Sequence, residues 1–233
     1  MFDLHGFSGL LAEGAWMTVR LTIIATVAGI CIGLSIALMK LSSSSVMRFF
    51  AEVYTTILRG VPILLVILLF YFGAIAGVNA IARLLGYTAF IDVSAFAAGC
   101  IALSLAFGAY SAEVFRGALQ SIPVGQIEAA RAIGLPRGKT FFKITLPQVW
   151  RLALPGLGNI FLVIMKETAL VSVVGLNELM RNTQFAVDNT KKPFTFFLAA
   201  AFIYLMLTIL AMIATSLLEA KANRGFTAQR SDQ

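Results

Sequence analysis

Five long apolar runs dominate the sequence and limit the folds that are open to it. They cover about residues 15–39, 57–78, 95–115, 155–176 and 194–218. A helix needs about 20 apolar residues to cross roughly 30 Å of hydrocarbon, and each run meets that length. Hydrophobic residues make up 59% of the chain and charged residues only 12%. The sequence therefore predicts an all-α integral membrane protein with five transmembrane helices and excludes an ordinary soluble domain.

The distribution of Lys and Arg predicts the orientation of these spans. Most basic residues fall after the first run, after the third run, and in the C-terminal tail at 221–233. The opposite side would carry only Arg83, Arg181, Lys191 and Lys192. Because Lys and Arg are enriched in cytoplasmic loops, we expect the N-terminus outside and the C-terminus in the cytoplasm. The net charge of +7 is accordingly a topology signal, with no indication of nucleic-acid binding.

Two further segments bear on the topology. Residues 1–14 lack the basic start and the small-residue cleavage site of a signal peptide, so the first span is expected to be retained. Residues 80–93 are mixed in character and too short to span, which favours an interfacial helix on the outer face.

The sequence offers no constellation for catalysis or for metal binding. His5 is the only histidine, and Cys31 and Cys100 lie inside apolar runs without metal-ligand spacing. No G-x-x-x-x-G-K-[ST] phosphate-binding loop occurs. We therefore expect a non-enzymatic chain that binds no metal or cofactor, with any ATP chemistry on another subunit.

The longest predicted cytoplasmic connection, 121–152, should contain a short helix. Pro123 suits an early helix position, Gly134 can adopt a left-handed conformation just past the end, and Pro136 stops the run. The small apolar face of this helix would consist of Ile127, Ala129, Ala130 and Ile133. A helix of about ten residues is marginal alone in water, so it needs a surface to dock against.

A second short basic segment should follow in "RGKTFFKITL", residues 137–146. Its aromatic residues are expected to lie against the bundle. Pro147 is expected to stop it, and Pro155 to open the fourth span.

The spacing of uncharged residues in this connection carries a family resemblance. The triplet Glu128-Ala129-Ala130, then Gly134, Ile144 and Leu146-Pro147, resembles the EAA loop of the membrane subunits of ABC-type uptake systems at every motif position. Residues 59–73, 108–130 and 165–179 resemble stretches of the polar amino acid permeases. Residues 6–22 and the wording "ETALVSVVGL" are similar to subunits that import histidine, lysine, arginine and opines.

The resemblance implies a MetI-like, type I ABC importer fold over residues 1–220 as a single domain in a bacterial inner membrane. It implies that the EAA loop docks into an ATP-hydrolysing subunit. It also implies two ATPase subunits that bind ATP and Mg, a second similar permease subunit or a second copy of this chain, a solute-binding protein, and a polar, in particular basic, amino acid or opine as substrate. The residues expected to couple to the ATPase are Glu128, Ala129, Ala130, Gly134, Ile144, Leu146 and Pro147.

Lys166 and Glu167 place two charges in the fourth span, where an ionisable group costs about 2.5 to 3.5 kcal/mol. Such groups usually face a protein interior or a wet path. Glu167, with Thr168 and Ser172, is a candidate lining for the substrate route, where its carboxylate would neutralise a cationic group. A structural ion pair across the bundle is the alternative for Glu167, and for Lys166 it is the favoured interpretation.

Other polar and small residues have structural interpretations. Glu113 and Arg116 are three residues apart on one helical face and favour a structural ion pair. Arg59 and Pro62 open the predicted second span at its cytoplasmic side, with no role assigned. Small residues at four-residue spacing in the first two spans permit close helix packing, within the chain or between chains. These residues are Gly29, Gly33, Gly73 and Gly77.

Two other classes of function compete with an ABC permease. An ion-driven secondary transporter or channel would need acidic relays and inverted repeats, whereas the sequence has one acid in the middle of a predicted span and no clear repeat. A membrane scaffold that only docks a cytoplasmic partner would leave Glu167 and the EAA spacing unexplained.

Overall fold

The computed structural model describes residues 4 and 6–224 and is helical throughout its ordered elements. His5 and residues 225–233, which include most of the predicted C-terminal tail, lie outside the described residues. Nine α-helices occur in the described part: α1 (Ser8–Lys40), α2 (Ser45–Gly60), α3 (Ile63–Leu84), α4 (Ala95–Gln120), α5 (Val124–Ala132), α6 (Arg137–Thr140), α7 (Leu146–Glu167), α8 (Leu179–Thr190) and α9 (Pro193–Ala222). A π-helical turn at Phe141–Thr145 and a 3-10 helix at Thr168–Val174 flank α7.

Five helical segments in the described residues are long and apolar enough to cross a membrane. They are Ser8–Lys40, Ile63–Leu84, Ala95–Gln120, Arg137–Val174 and Pro193–Ala222. The predicted all-α fold with five spans is confirmed. The bounds differ at several ends, because tertiary contacts and caps set them in addition to hydrophobicity.

The start predicted for the second span, 57–78, is wrong, because the spanning helix begins at Ile63. The chain forms two helices there, α2 and α3, which are separated at Val61 and Pro62. Val61 is extended, with φ −94° and ψ 134°, as expected for a residue before proline. Pro62 lacks the N–H that would continue the helical hydrogen bonds. Arg59 therefore belongs to the last turn of α2, on the other side of a break from the spanning helix α3.

The interfacial helix predicted over residues 80–93 is also wrong. The helix α3 continues to Leu84, and Gly86 ends it with a φ of +83°. Beyond this cap, the Asn79 side chain both donates to and accepts from the backbone of Ile91, each across 2.8 Å. These bonds satisfy the peptide groups of Ile91 without a helix.

Pro147 and Pro155 do not bound helices in the way the sequence predicted. Helical structure runs without interruption from Arg137 to Val174, with Pro147 in the first turn of α7 and Pro155 inside it. The π-helical turn explains this continuity, because the N–H of Leu146 reaches back to the carbonyl of Phe141, one residue further than in an α-helix.

The central helix of the bundle is α4, and α1 lies closely against it. A Cβ atom at Gly29 would lie 2.6 Å from the Phe107 ring, and one at Gly33 would overlap the Ser111 hydroxyl. That hydroxyl donates to the Gly29 carbonyl across 3.1 Å. Small residues therefore allow α1 and α4 to approach within hydrogen-bonding distance.

Gly73 and Gly77 of α3 lie on an open surface instead, where an added Cβ meets nothing within 4 Å in the described part of the chain. The four glycines that share a sequence spacing thus differ in use. The pair in α1 serves packing within the chain, and the pair in α3 faces outward.

The short helix α8 was not predicted from the sequence. It connects the end of the 3-10 helix to α9 and packs against the first turns of α1. Leu179 lies against Gly14, and the Asn182 side chain donates to the Leu10 carbonyl across 2.8 Å. Since α7 runs between them, α8 and the EAA loop lie at opposite ends of the bundle.

Candidate functional site: the EAA loop and the Glu167 cavity

The EAA loop begins with α5, a nine-residue helix that ends in a left-handed glycine. Gly134 has a φ of +81°. Its N–H donates to the Arg131 carbonyl across 2.9 Å, and the next N–H, of Leu135, donates to the Ala130 carbonyl across 3.1 Å. This pair of bonds is a Schellman cap, which satisfies two of the last carbonyls of the helix. The sequence prediction that Gly134 takes the left-handed position is confirmed.

A side-chain bond ties α5 to the start of α7. The Gln148 amide donates to Gln126 across 2.7 Å and to the Ile144 carbonyl across 2.9 Å. Ala130 is buried where α5 lies near α6 and the π-helical turn. The loop therefore docks on the start of the longest helical run, which supplies the surface that so short a helix needs.

The apolar face predicted for α5 is only partly buried. Ala130 is buried and Ile127 half-buried, whereas Ala129 and Ile133 are exposed. Phe142 is also exposed, so the aromatic residues of the second segment do not both lie against the bundle. The remaining EAA residues divide in the same way: Glu128, Gly134 and Pro147 are exposed, and Ile144 and Leu146 are half-buried. The loop thus presents an uncovered surface of small and apolar residues with a basic rim.

Glu167 lies at the last position of α7, where the helix tightens into the 3-10 segment. The sequence placed it near the middle of a span that began at Pro155. With the helical run starting much earlier, Glu167 lies toward the end that is far from the EAA loop. Its side chain is half-buried and lines a cavity of about 450 Å³. The other lining residues are Arg59, Gly60, Val61, Pro62, Ile63, Leu64, Tyr110 and Leu170.

The break between α2 and α3 builds one wall of this Glu167 cavity. Residues 60–64, at the break itself, contribute that wall. A broken helix leaves backbone polar groups that a polar ligand can use, and irregular backbone at membrane depth is tolerated where it lines a cavity. The cavity thus combines a carboxylate, a guanidinium and a phenol beside the backbone of residues 60–64.

Thr168 and Ser172 do not line the Glu167 cavity. Thr168 is fully buried and its hydroxyl donates to the Met165 carbonyl across 2.7 Å. The Ser172 hydroxyl donates to the Ala169 carbonyl across 2.6 Å. Lys166, the neighbour of Glu167, is exposed on another face of α7. The structure therefore brings only Glu167, of the three proposed path residues, to the cavity.

A cluster of charges joins α1, α2 and α4 beside the cavity. Arg116 approaches Glu113 at 2.8 Å through both Nε and Nη2. Lys40, whose side chain is 4% exposed, bonds to the same carboxylate and lies 3.0 Å from Glu52. Arg59 is 3.9 Å from Glu113. We call Lys40, Glu52, Arg59, Glu113 and Arg116 the Lys40 cluster; it borders a second cavity of about 340 Å³.

Glu178 is a buried carboxylate that the sequence analysis missed. It caps α8 by accepting from the N–H of Arg181 across 2.8 Å, and it accepts from the hydroxyls of Tyr204 and Thr18 across 3.1 and 3.5 Å. Burial raises the pKa of this carboxyl, and the hydrogen bonds oppose the rise. A single acid in a polar connection gives no sequence signal of burial.

The described residues contain no group of three His, Cys, Asp or Glu side chains placed to hold a metal ion. What the geometry offers is a cavity at a helix break that is lined by a carboxylate and a guanidinium, and an exposed loop at one end of the bundle.

Comparisons with known proteins point to a single family. A family model described as "Binding-protein-dependent transport system inner membrane component" matches residues 29–224. The chain is 41% identical over 222 residues to the histidine/lysine/arginine/ornithine transport system permease protein HisQ of Salmonella typhimurium, covering 95% of this chain and 97% of that protein. It is 42% identical over 224 residues to the octopine transport system permease protein OccQ of Rhizobium radiobacter, covering 96% and 94%.

Solved structures show the same fold. The crystal structure of an amino acid ABC transporter with histidines matches with a TM-score of 0.77 at 34% identity, over 92% of this chain and 95% of that chain. The MetNI methionine ABC transporter matches with a TM-score of 0.75 at 19% identity, over 93% and 98%. The five-span fold and the EAA loop define a permease subunit of an ABC importer. The chain belongs to the family of binding-protein-dependent transport system inner membrane components.

Proposed function

We propose that this permease subunit forms the membrane path for basic amino acids or opines and that Glu167 lines that path. The observation that carries the proposal is the carboxylate of Glu167 on a cavity of about 450 Å³ at a helix break. Its charge suits a ligand with an ammonium or guanidinium group. Support for the substrate class comes from relatives whose names specify histidine, lysine, arginine, ornithine and octopine.

The EAA loop couples this path to ATPase subunits. Its residues Ala129 and Gly134 are small and exposed, so a partner surface can approach closely. The Schellman cap and the bond between Gln126 and Gln148 hold α5 as one body with the start of α7. The chain itself hydrolyses no ATP; two ATPase subunits bind ATP and Mg and supply the work.

The complete importer contains a second permease subunit, similar to this one or a second copy, and a solute-binding protein on the outer side. ATPase closure moves α5, and α7 follows because the two are tied together. The Glu167 cavity then turns outward, receives the substrate from the binding protein, and returns inward after hydrolysis. A rigid loop that moves with its span is the element that two-state access of this kind requires.

The chain is oriented in a bacterial inner membrane with its N-terminus outside and its C-terminus in the cytoplasm. Two single-cysteine variants test this orientation. They are Asn189→Cys and Lys139→Cys, each in a background of Cys31→Ser and Cys100→Ala. A membrane-impermeant maleimide should label the cysteine at 189 in intact cells and the one at 139 only in permeabilised cells. The opposite pattern would reverse the proposed orientation.

The path itself is tested by uptake of L-arginine into proteoliposomes that contain the whole importer. Glu167→Gln should lower uptake by at least about tenfold, corresponding to ~1.4 kcal/mol, with assembly unchanged. The matched control is Glu13→Gln, which removes an exposed carboxylate from α1. Equal loss of assembly and uptake in Glu167→Gln would favour the structural ion pair, and uptake that persists with inactive ATPase subunits would favour an ion-driven transporter.

A further inference from the structure

Arg59 occupies the boundary between two cavities. It lines the Glu167 cavity and also the cavity of about 340 Å³ beside the Lys40 cluster. It lies in the last turn of α2, directly before the break at Val61 and Pro62. Its guanidinium carbon is 5.7 Å from the centroid of the Tyr110 ring, which also lines the Glu167 cavity. Its side chain is 46% exposed within the described chain.

Within the Lys40 cluster, Arg59 is the most loosely held cation. Lys40 and Arg116 both bond directly to the carboxylate of Glu113, and Arg116 does so through two nitrogens. Arg59 is 3.9 Å from that carboxylate, which is beyond hydrogen-bonding distance. Glu113 is thus neutralised without Arg59. The guanidinium can therefore take another anion without leaving a carboxylate unpaired.

The Glu167 cavity presents two opposite charges on different elements. Glu167 comes from the end of α7 and Arg59 from the end of α2. Within residues 4 and 6–224, Glu167 makes no ion pair. An amino acid with a cationic side chain carries matching charges, because its α-carboxylate lies at one end and its ammonium or guanidinium at the other.

We propose that Arg59 binds the α-carboxylate of the amino acid whose cationic side chain Glu167 holds. This inference rests on the proposed function, since it needs Glu167 to lie on the substrate path. A guanidinium binds a carboxylate through two parallel hydrogen bonds, which gives strength and fixes orientation. Glu113 then competes with the substrate carboxylate for Arg59. The site selects amino acids over amines that lack the carboxylate.

A purely structural role for Arg59 predicts a different result. If Arg59 only adds charge balance to the Lys40 cluster, its removal lowers stability and affects all ligands equally. Discrimination between a ligand with a carboxylate and one without it separates the two roles.

The test measures binding to the purified, assembled importer in nanodiscs, without its binding protein. The probes are L-arginine, its decarboxylated analogue agmatine, and the uncharged analogue L-citrulline. Arg59→Gln should weaken L-arginine binding roughly 10- to 100-fold, as expected for loss of hydrogen bonds to a charged group, and change agmatine binding by less than about twofold. Arg59→Lys should recover part of the loss, because it keeps the charge without the paired geometry.

Arg48→Gln is the matched control. Arg48 is also an arginine of α2, but it bonds to the carbonyls of Ser42 and Ser43, away from the cavity. This variant should leave both affinities unchanged. Thermal unfolding of each variant shows whether a loss of binding is a loss of fold.

Glu167→Gln separates failure of the inference from failure of the proposed function. It should reduce the preference for L-arginine over L-citrulline. If that preference changes and Arg59→Gln weakens arginine and agmatine equally or not at all, the Arg59 inference is wrong and the proposed path stands. If Glu167→Gln leaves the preference unchanged, or the wild-type importer binds no L-arginine, the proposed path or substrate class fails and the inference fails with it.

Discussion

The hydroxyl of Tyr204 donates a hydrogen bond to the carboxylate of Glu178 across 3.1 Å and so joins α9 to the start of α8 inside the protein. Thr18 of α1 lies 3.5 Å from the same oxygen, and the other oxygen caps α8 through the N–H of Arg181. One buried carboxylate thereby holds three helices at the end of the bundle opposite the EAA loop.

The first prediction concerns the pH dependence of stability at Glu178, which lies in a connection outside the five spans. Its pKa in the folded protein is raised above 4.5 because burial disfavours the charged form. A raised folded pKa gives stability that is fully present below the unfolded pKa and is lost as pH rises through the folded pKa. Wild-type protein should therefore lose thermal stability relative to Glu178→Gln as pH increases from about 4.5.

Thermal unfolding in detergent across that range checks this prediction. Glu13→Gln removes an exposed carboxylate and should follow the wild-type curve. Parallel curves for wild type and Glu178→Gln would contradict it. In Tyr204→Phe, the loss of thermal stability should continue to higher pH. The substitution removes a hydrogen bond that lowers the pKa of Glu178.

The second prediction concerns Gly134. Gly134→Asp should leave insertion and folding intact, because no described atom lies within 4 Å of the added Cβ. It should abolish transport, because the residue must keep a φ of +81°. A non-glycine residue in this region costs about 1–2 kcal/mol, which loosens the helix end that we propose contacts the ATPase subunit. Gly138→Asp, at an equally open position without positive φ, should transport. Normal uptake by Gly134→Asp would remove the coupling role.

The third prediction concerns the contact between α1 and α4. Gly33→Leu should lower the free energy of unfolding by about 1–3 kcal/mol, because the side chain would displace Ser111 from the Gly29 carbonyl. Gly73→Leu, on the open face of α3, should be tolerated. Thermal unfolding of the two variants should differ clearly, and similar midpoints would refute the packing argument.

The fourth prediction ranks how much stability is lost when members of the Lys40 cluster are substituted. Glu113→Gln should destabilise most, because it leaves the buried ammonium of Lys40 with Glu52 as its one remaining ion-pair partner among the described residues. Glu52 is 62% exposed, so Glu52→Gln should cost no more than about 1 kcal/mol. Lys40→Met should fall between them, since Glu113 keeps Arg116. Midpoints of thermal unfolding measure the order, and the reverse order would show that Glu52 is the main partner of Lys40.

Hydrophobicity in the sequence predicted which segments span but not where the helices end. The run 57–78 is apolar on both sides of Pro62, so its mean hydropathy does not show the break that separates α2 from α3. The start of α7 was placed late because Pro147 and Pro155 usually end helices in water. Here a π-helical turn makes room for Pro147, and that turn depends on backbone geometry rather than on residue type.

The candidate site was predictable in part. Gly134 was found because its spacing from Pro136 is a local signal of a helix end. Glu167 was found because an acid in an apolar run is costly. Arg59 was passed over as a residue near a membrane surface, since its place on the Glu167 cavity depends on how α2 meets α4 and α7. The burial of Glu178 could not be predicted, because its partners come from other helices. Thr18 of α1 is 160 residues away in sequence, and Tyr204 belongs to the following span, α9.

The uninterrupted helical run from Arg137 to Val174 connects the EAA loop rigidly to the Glu167 cavity. Pro147 and Glu167 are separated by about 30 Å along the axis at ~1.5 Å per residue. A tilt imposed at the membrane surface therefore displaces the Glu167 carboxylate sideways in proportion to that arm, with no hinge loop in between to absorb the torque. The π-helical turn at Phe141–Thr145 lies between α5 and α7, so in the proposed coupling any tilt passes through it before it reaches the cavity.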